Sequence, residues 1–249
     1  MLNLLSSLAA STARGWRGTM AGEPAQLPAK PLELFEFEGC PFCRLVRETL
    51  TELNLDVLIY PCPKGGQRFR PRLACLGGKL QFPYLMDPNT GESLYESADI
   101  IRYLHATYGP RPARPPLLGG VPAQLGSFLA SAARGSRGMR TAHPGAAPAQ
   151  PLELYSFESS PYSRPVRELL CELEIPYLLR NMGKAKMQDM GPPWVRRKFF
   201  PEEPVSGRNR QGMHARTGRL QVPFLIDPNM GVEMYESSEI MAYLRQTYG

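Results

Sequence analysis

The sequence predicts an α/β protein built from two tandem copies of one small domain, each a four-stranded mixed sheet with flanking helices. Three observations predict it. The chain repeats itself: Pro31-Leu-Glu-Leu-Phe35 returns as Pro151-Leu-Glu-Leu-Tyr155, and Arg44-Leu-Val-Arg-Glu48 as Arg164-Pro-Val-Arg-Glu168, both 120 positions on. Gln81-Phe-Pro83, Asp87-Pro-Asn89, Tyr95-Glu-Ser97 and Tyr108-Gly109 return 140 positions on, as Gln221-Val-Pro223, Asp227-Pro-Asn229, Tyr235-Glu-Ser237 and Tyr248-Gly249. Within each copy, short apolar runs alternate with stretches of helical period, the pattern of a βαβ unit followed by a hairpin and a helix. Finally, 249 residues with 43% hydrophobic and 9% aromatic side chains suffice for two cores.

Residues 1–30 read as a short helix and a lead-in. Residues 1–22 carry Ser, Ala and Arg but no acid, which resembles an organellar address. Yet Ser7–Gly18 matches Ser127–Gly138 at eight of twelve positions. An internal copy is no cleaved peptide, so both stretches are expected to be helices leading into their own repeats, with Leu4, Leu5 and Leu8 answering Leu125 and Phe128 as an apolar stripe.

The first copy, 31–109, is expected to place strands at Leu32–Phe37, Val57–Tyr60, Tyr84–Met86 and Ser93–Tyr95. The last two are joined by the turn Asp87-Pro-Asn-Thr-Gly91. Helices are expected over Pro41–Asn54 and Ser97–Thr107, the second turning Ile100, Ile101, Tyr103 and Leu104 inward, with an irregular segment between the second and third strands. Residues 110–150, rich in Pro, Gly, Ala and Arg, read as a linker around the repeated helix. The second copy, 151–249, carries 20 extra residues before Val222-Pro223.

The net charge of +6 is local, because residues 183–219 hold nine Lys/Arg against three acids. That basic insertion reads either as a solvated loop or, where Pro192-Pro-Trp-Val-Arg-Arg-Lys-Phe-Phe200 mixes cations with aromatics, as a grip for a protein partner; nucleic acid is not expected. No apolar run approaches the roughly 18 residues of a membrane-spanning helix.

Five cysteines, an odd number, do not describe a disulfide framework and point to a reducing compartment. Two of them, in Cys40-Pro-Phe-Cys43, fall where the first strand gives way to a helix. Pro41 suits the first helical position, where a missing N–H costs nothing. The helix start, with Arg44 and Arg47 one and two turns in, favours a thiolate at Cys40, and Cys43 stands a turn further in as a resolving thiol. A zinc site is the alternative: Cys62 and Cys75 bring the number to four, but the second close pair usual in zinc ribbons is missing, and no metal is predicted. Cys75 and Cys171 read as buried apolar residues, Cys62 as either.

Cys40-Pro-Phe-Cys43, Phe82-Pro83 before a strand and Glu96-Ser97 opening the last helix resemble, in order and spacing, a glutaredoxin or the N-terminal, glutathione-binding domain of a glutathione transferase. Both have thioredoxin-like folds, and the whole tandem is similar to plastid thioredoxin-family proteins of plants and algae. The resemblance covers 31–109 and, with losses, 151–249. It implies glutathione as co-substrate, with Phe82 and Pro83 at its cysteinyl group, Glu96 and Ser97 at its γ-glutamyl end, and Arg44, Lys64 and Arg68 as further binding residues. A helix N-terminus suits the α-carboxylate.

In the second copy Ser160 and Ser163 replace the two thiols, which rules out disulfide exchange there. The pattern otherwise persists in Val222-Pro223 and Glu236-Ser237, so a possible second site comprises Ser160, Val222, Pro223, Glu236 and Ser237. A degenerate copy kept for packing or docking is the competing reading. Glutathione transferases follow this domain with a helical one; here Gly109 leads into another copy, so conjugation of bulky electrophiles is not expected. The expected function is a glutathione-linked thiol–disulfide oxidoreductase acting on protein disulfides or glutathionylated proteins, with Cys40 as nucleophile and Cys43 as resolver. The resemblance places it in the chloroplast. The alternative is a non-catalytic scaffold or assembly factor holding a protein partner.

Overall fold

The computed structural model describes residues 2–24, 26–110, 121–135, 137–141, 143–191 and 193–249. Residues 111–120, at the start of the predicted linker, lie outside it. The first copy contributes β1 (Leu32–Glu36), β2 (Val57–Pro61), β3 (Tyr84–Met86) and β4 (Ser93–Leu94); the second contributes β5 (Leu152–Ser156), β6 (Tyr177–Asn181), β7 (Phe224–Asp227) and β8 (Val232–Tyr235). In both, the first two strands are parallel and the others antiparallel, the expected mixed sheet.

The two half-sheets do not stand apart. β2 and β6 pair antiparallel, Leu58 opposite Leu178, to give one eight-stranded sheet in the order β4-β3-β1-β2-β6-β5-β7-β8. Each copy thereby covers a strand edge that would otherwise expose unpaired N–H and C=O groups.

Strand alternation sends Leu32 and Leu34 to one face, against Val46 and Leu50 of α2 (Pro41–Glu52) and Ile100 and Leu104 of α4 (Ser97–Tyr108). The matching residues of α6 (Arg164–Glu172) and α9 (Ser237–Tyr248) extend the same core, so one apolar layer runs under both copies. On the opposite face Phe35 packs with Cys62, Phe69, Leu73 and Tyr84. Leu73 belongs to α3 (Arg70–Gly77), a helix where an irregular segment was expected; it buries only that residue, too little to leave a helical period in the sequence. The counterpart in the second copy is the insertion, which folds into a 3-10 turn (Met187–Asp189), α7 (Pro193–Phe199) and α8 (Arg208–Thr217), the last seating Met213 against Phe157, Met182 and Phe224.

The repeated Asp-Pro-Asn and Tyr-Gly motifs form a single unit. Asp87 Oδ1 accepts the Asn89 N–H at 2.8 Å while Oδ2 accepts the hydroxyls of Tyr103 and Tyr108, locking the hairpin turn to the end of α4. Asp227, Asn229, Tyr243 and Tyr248 repeat the arrangement.

The lead-in helices depart from expectation. α1 (Leu2–Ala13) and α5 (Val121–Ala133) pack on each other, and each crosses to the other copy: α5 lies on α2, and α1 touches α6. Ser127 donates to Pro41 O at 2.6 Å, and Arg164 to Ser7 O at 2.6 Å. The segment after α5, expected as linker, bonds to the first copy, Gly39 N–H to Gly138 O at 3.0 Å and Lys64 N–H to Met139 O at 2.7 Å.

Between the copies lies a layer of buried charge. Arg47 pairs with Glu36, Glu38 and, across the join, Glu158; Arg167 pairs with Glu158 and, across the join, Glu38. Arg14–Glu48 and Arg134–Glu168, both buried, flank it with the same 120-residue correspondence. This layer is where the conspicuous Arg-x-x-Arg-Glu repeat goes.

Candidate dithiol site

The local geometry at Cys40 follows the physics of a helix start. Cys40 is the N-cap of α2 with extended backbone (φ −71°, ψ 124°), Pro41 follows, and Cys40 Sγ accepts the N–H of Cys43 at 3.4 Å. The thiol of Cys43 hydrogen-bonds the sulfur, and the N–H groups of Cys43 and Phe42 and the charge of Arg47 add to it; against desolvation, these hold Cys40 below the ordinary thiol range. Burial and the neighbouring Cys40 push Cys43 well up, so it stays a thiol. The two thiols therefore differ in how readily they ionise, Cys40 more and Cys43 less than an ordinary thiol.

Glu36, absent from the residues the sequence singles out, lies within electrostatic reach of both thiols. Burial pushes its carboxyl up to about 8, against the attraction of Arg47 and with help from the charges of Glu38 and Cys40. A signal for it existed: Glu36 becomes Ser156 in the copy that also lost both thiols.

The remaining predicted residues divide. Phe82 and Pro83, joined by a cis peptide, precede β3, and the Phe82 ring meets Phe37 edge-on at 5.7 Å. Glu96 is exposed at the start of α4 with φ 62°, a costly backbone state for a non-glycine residue, and its carboxylate takes a hydrogen bond from Gln81. Ser97 is buried as the first residue of α4. Lys64 is exposed. Arg44 and Arg68 are engaged elsewhere: Arg44, 1% exposed, holds Glu158 and Ser131, while Arg68 donates to the carbonyls of Glu174 and Gly145. Both guanidinium groups serve the join between the copies, a use that only long-range contacts reveal.

The other cysteines are separate. Cys62 is buried with its thiol pushed up by desolvation, Cys171 is buried with its sulfur donating to Gly138 O at 3.4 Å, and Cys75 is exposed rather than buried as expected. Among the described residues no three His, Cys, Asp or Glu side chains converge as metal ligands. Nor is any helix among them long and apolar enough to cross a membrane.

The second copy reproduces the frame with other chemistry. Ser160 Oγ accepts the Ser163 N–H at 3.2 Å, Val222 and Pro223 share a cis peptide, and Glu236 has φ 65° and accepts from Gln221 before Ser237 opens α9.

A family model described as "Glutathione S-transferase, N-terminal domain" matches residues 34–112 and again 154–249. The chain belongs to that family. The two matched stretches coincide with the two halves of the eight-stranded sheet, so the glutathione S-transferase N-terminal domain occurs here twice, once with the dithiol and once with the two serines. Among solved structures, a Bombyx mori glutathione transferase is 28% identical over 34% of this chain and 38% of its own, with a TM-score of 0.31. The chain thus spans well under half the length of that relative. No curated protein matches it.

The two copies differ in what covers the helix start. Next to Cys40, which is 3% exposed, Gly138 and Met139 from the lead-in of the second copy pack on Gly39, with Phe128 edge-on to Phe42 at 5.5 Å. Gly39 makes room for this: a Cβ there would stand 2.3 Å from Met139 Cγ and 2.9 Å from Arg137 O. The counterparts in the second copy are Ser159 and Thr19, whose hydroxyls hydrogen-bond each other. Ser160 is likewise buried, at 1% exposed, yet a cavity of about 600 Å³ opens beside it.

Proposed function

We propose that the chain is a glutathione-linked thiol–disulfide oxidoreductase in which only the first copy carries out exchange. The observation that carries this reading is the differentiated pair at the start of α2, with Cys40 held toward thiolate and Cys43 kept as a thiol. Cys40 Sγ attacks one sulfur of a disulfide or glutathionylated protein, and the other sulfur leaves as a thiolate. Cys43 then gives up its proton and attacks Cys40 Sγ, releasing the second thiol and leaving a Cys40–Cys43 disulfide; alternatively glutathione attacks the mixed disulfide directly. Two glutathione molecules return the enzyme to the dithiol state as they become one glutathione disulfide.

Membership of the glutathione S-transferase N-terminal domain family supports glutathione as the thiol partner. In this reading Phe82 and Pro83 meet its cysteinyl group, Glu96 and Ser97 its γ-glutamyl end, and Lys64 is the exposed cation for its glycyl carboxylate. Ser160, Val222, Pro223, Glu236 and Ser237 form a second, non-redox site of the same outline. The resemblance to plastid proteins supports a chloroplast location for this activity. The test is glutathione-dependent reduction of a mixed disulfide: Cys40→Ser abolishes it, Cys43→Ser keeps much of it, and a wild-type protein inert in the assay overturns the reading. One observation favours the scaffold alternative, the cover over Cys40; that alternative expects a protein partner retained equally by wild type and Cys40→Ser.

A further inference from the structure

The cavity beside Ser160 is not a relic of the first copy's site, because its walls come from parts the first copy lacks or uses differently. α7 and α8 of the insertion form one side, and the other is the lead-in of the first copy, through Leu8, Trp16 and Thr19. Phe157, Met182 and Val222 line its floor next to Ser160. At about 600 Å³ it falls in the size range of small-molecule sites, and apolar side chains line one part of it.

Its charge is one-sided. Lys184, Arg196, Arg197, Arg210 and Arg219 line it against a single carboxylate, Asp189. Asp189 Oδ1 holds Arg196 at 2.8 Å and Arg210 at 2.7 Å, which fixes the polar end but leaves most of the positive charge unbalanced. Arg210 is 5% exposed and its Nε–H, among the described residues, has no hydrogen-bond partner, nor has Asp189 Oδ2. A buried donor without a partner is costly unless something supplies the acceptor. Lys184 reports the same imbalance: burial and the charge of Arg210 bring its ammonium down to about 8.

We propose that this cavity binds an amphipathic organic anion, its acidic head among Arg210, Lys184, Arg197 and Arg219 and its apolar body against Trp16, Phe157 and Met182. The occupant is a small molecule, since the walls enclose it on both sides and the apolar and cationic ends lie within one pocket. It shares Ser160 and Val222 with the second, non-redox site proposed above but owes nothing to the thiols, so it stands apart from the exchange reaction of the first copy, and displacement of a bound dye by laurate but not by glutathione separates the two readings.

The experiment titrates the full chain with the aromatic sulfonate 8-anilinonaphthalene-1-sulfonate, reading dye emission and energy transfer from tryptophan, and then displaces the dye with laurate or with dodecanol. Saturable binding is expected, with laurate displacing and the uncharged alcohol of equal chain length failing to do so. Trp16→Phe should cut the energy transfer, leaving that from Trp194, the second of the two tryptophans. Arg197→Glu and Arg219→Glu change exposed residues that the fold does not need. Each should weaken laurate about tenfold or more, as loss of a charge-assisted contact does. Absence of saturable binding overturns the proposal, and so does displacement by dodecanol as effective as by laurate with both charge reversals silent.

Discussion

Arg167 of the second copy donates to both carboxylate oxygens of Glu38 in the first, at 3.0 and 3.1 Å, while Arg47 of the first donates to Glu158 of the second at 2.9 Å. All four side chains are buried, and the two pairs exchange places under the 120-residue repeat. Buried charges of this kind are costly to desolvate and are tolerated because each is paired and hydrogen-bonded several times over. They tie the two copies into one unit: a lone copy would keep only the pairs within it, Arg47 with Glu36 and Glu38 or Arg167 with Glu158, and would lose those made across the join.

Removing a single partner should therefore cost far more than a surface ion pair. Glu158→Gln leaves Arg47, Arg44 and Arg167 facing no charge from the second copy, and a loss of about 3–5 kcal/mol is expected. The measurement is urea unfolding of the full chain. The exposed pair Arg102–Asp99 is the control, and Asp99→Asn should shift stability by less than about 1 kcal/mol. Equal effects at the two sites would show the buried layer to be energetically idle.

Stability should also slope in opposite directions on either side of mildly acidic pH. Desolvation raises Glu158, but Arg167, Arg47 and Arg44 hold it far below the ordinary carboxylate range. Its contribution is thus present above about pH 4.3, the unfolded value, and is lost as pH falls toward the folded one. Glu36 has the reverse sign. With its folded value pushed up to about 8, the folded state binds the proton more tightly, so its contribution is full below about pH 4.3 and drains away as pH rises to about 8. Urea midpoints measured from pH 3 to pH 9 test this, since Glu36→Gln should flatten the alkaline flank and Glu158→Gln the acid one. An alkaline flank unchanged in Glu36→Gln would show that Glu36 does not hold a proton in the folded state.

The sequence carried the fold at the level of one copy. Asp87-Pro-Asn89 and Tyr108-Gly109 recur because the same carboxylate and hydroxyls close the hairpin onto the last helix, and Leu32, Leu34, Val46 and Leu50 announce their shared face by period alone. Cys40 and Cys43 were legible for the same reason, since their chemistry is set by positions three apart on one helix start. What could not be read is long-range. Arg44 and Arg68 look like solvent-facing cations in sequence, and only the join between copies turns one inward to Glu158 and the other to Glu174 O and Gly145 O. The cover beside Cys40 comes from the end of the repeated lead-in, far along the chain, and nothing in that repeat says which copy it will pack on, although Gly39, replaced by Ser159 in the second copy, marks where it lands.

That glycine gives the means of testing the cover. A Cβ at Gly39 would meet Met139 Cγ at 2.3 Å and Arg137 O at 2.9 Å, and while the methionine side chain can swing away the backbone carbonyl can only move with its loop. Gly39→Ala should therefore displace the 137–141 segment from Cys40, at a cost of about 1–3 kcal/mol typical of overpacking. Cys40 alkylation by iodoacetamide should become faster at every pH, but its midpoint should stay put, because the groups that lower the thiol, Cys43, the N–H of Phe42 and Arg47, belong to the first copy and do not move with the cover. Met139→Ala makes the complementary change, trimming the cover without straining the backbone, and should give a smaller acceleration and no strain. If both variants left the rate at the wild-type value, the segment would not be what shields Cys40. If the midpoint instead rose toward an ordinary thiol in either, the cover itself would be stabilising the thiolate, and the second copy would be part of the dithiol's chemistry.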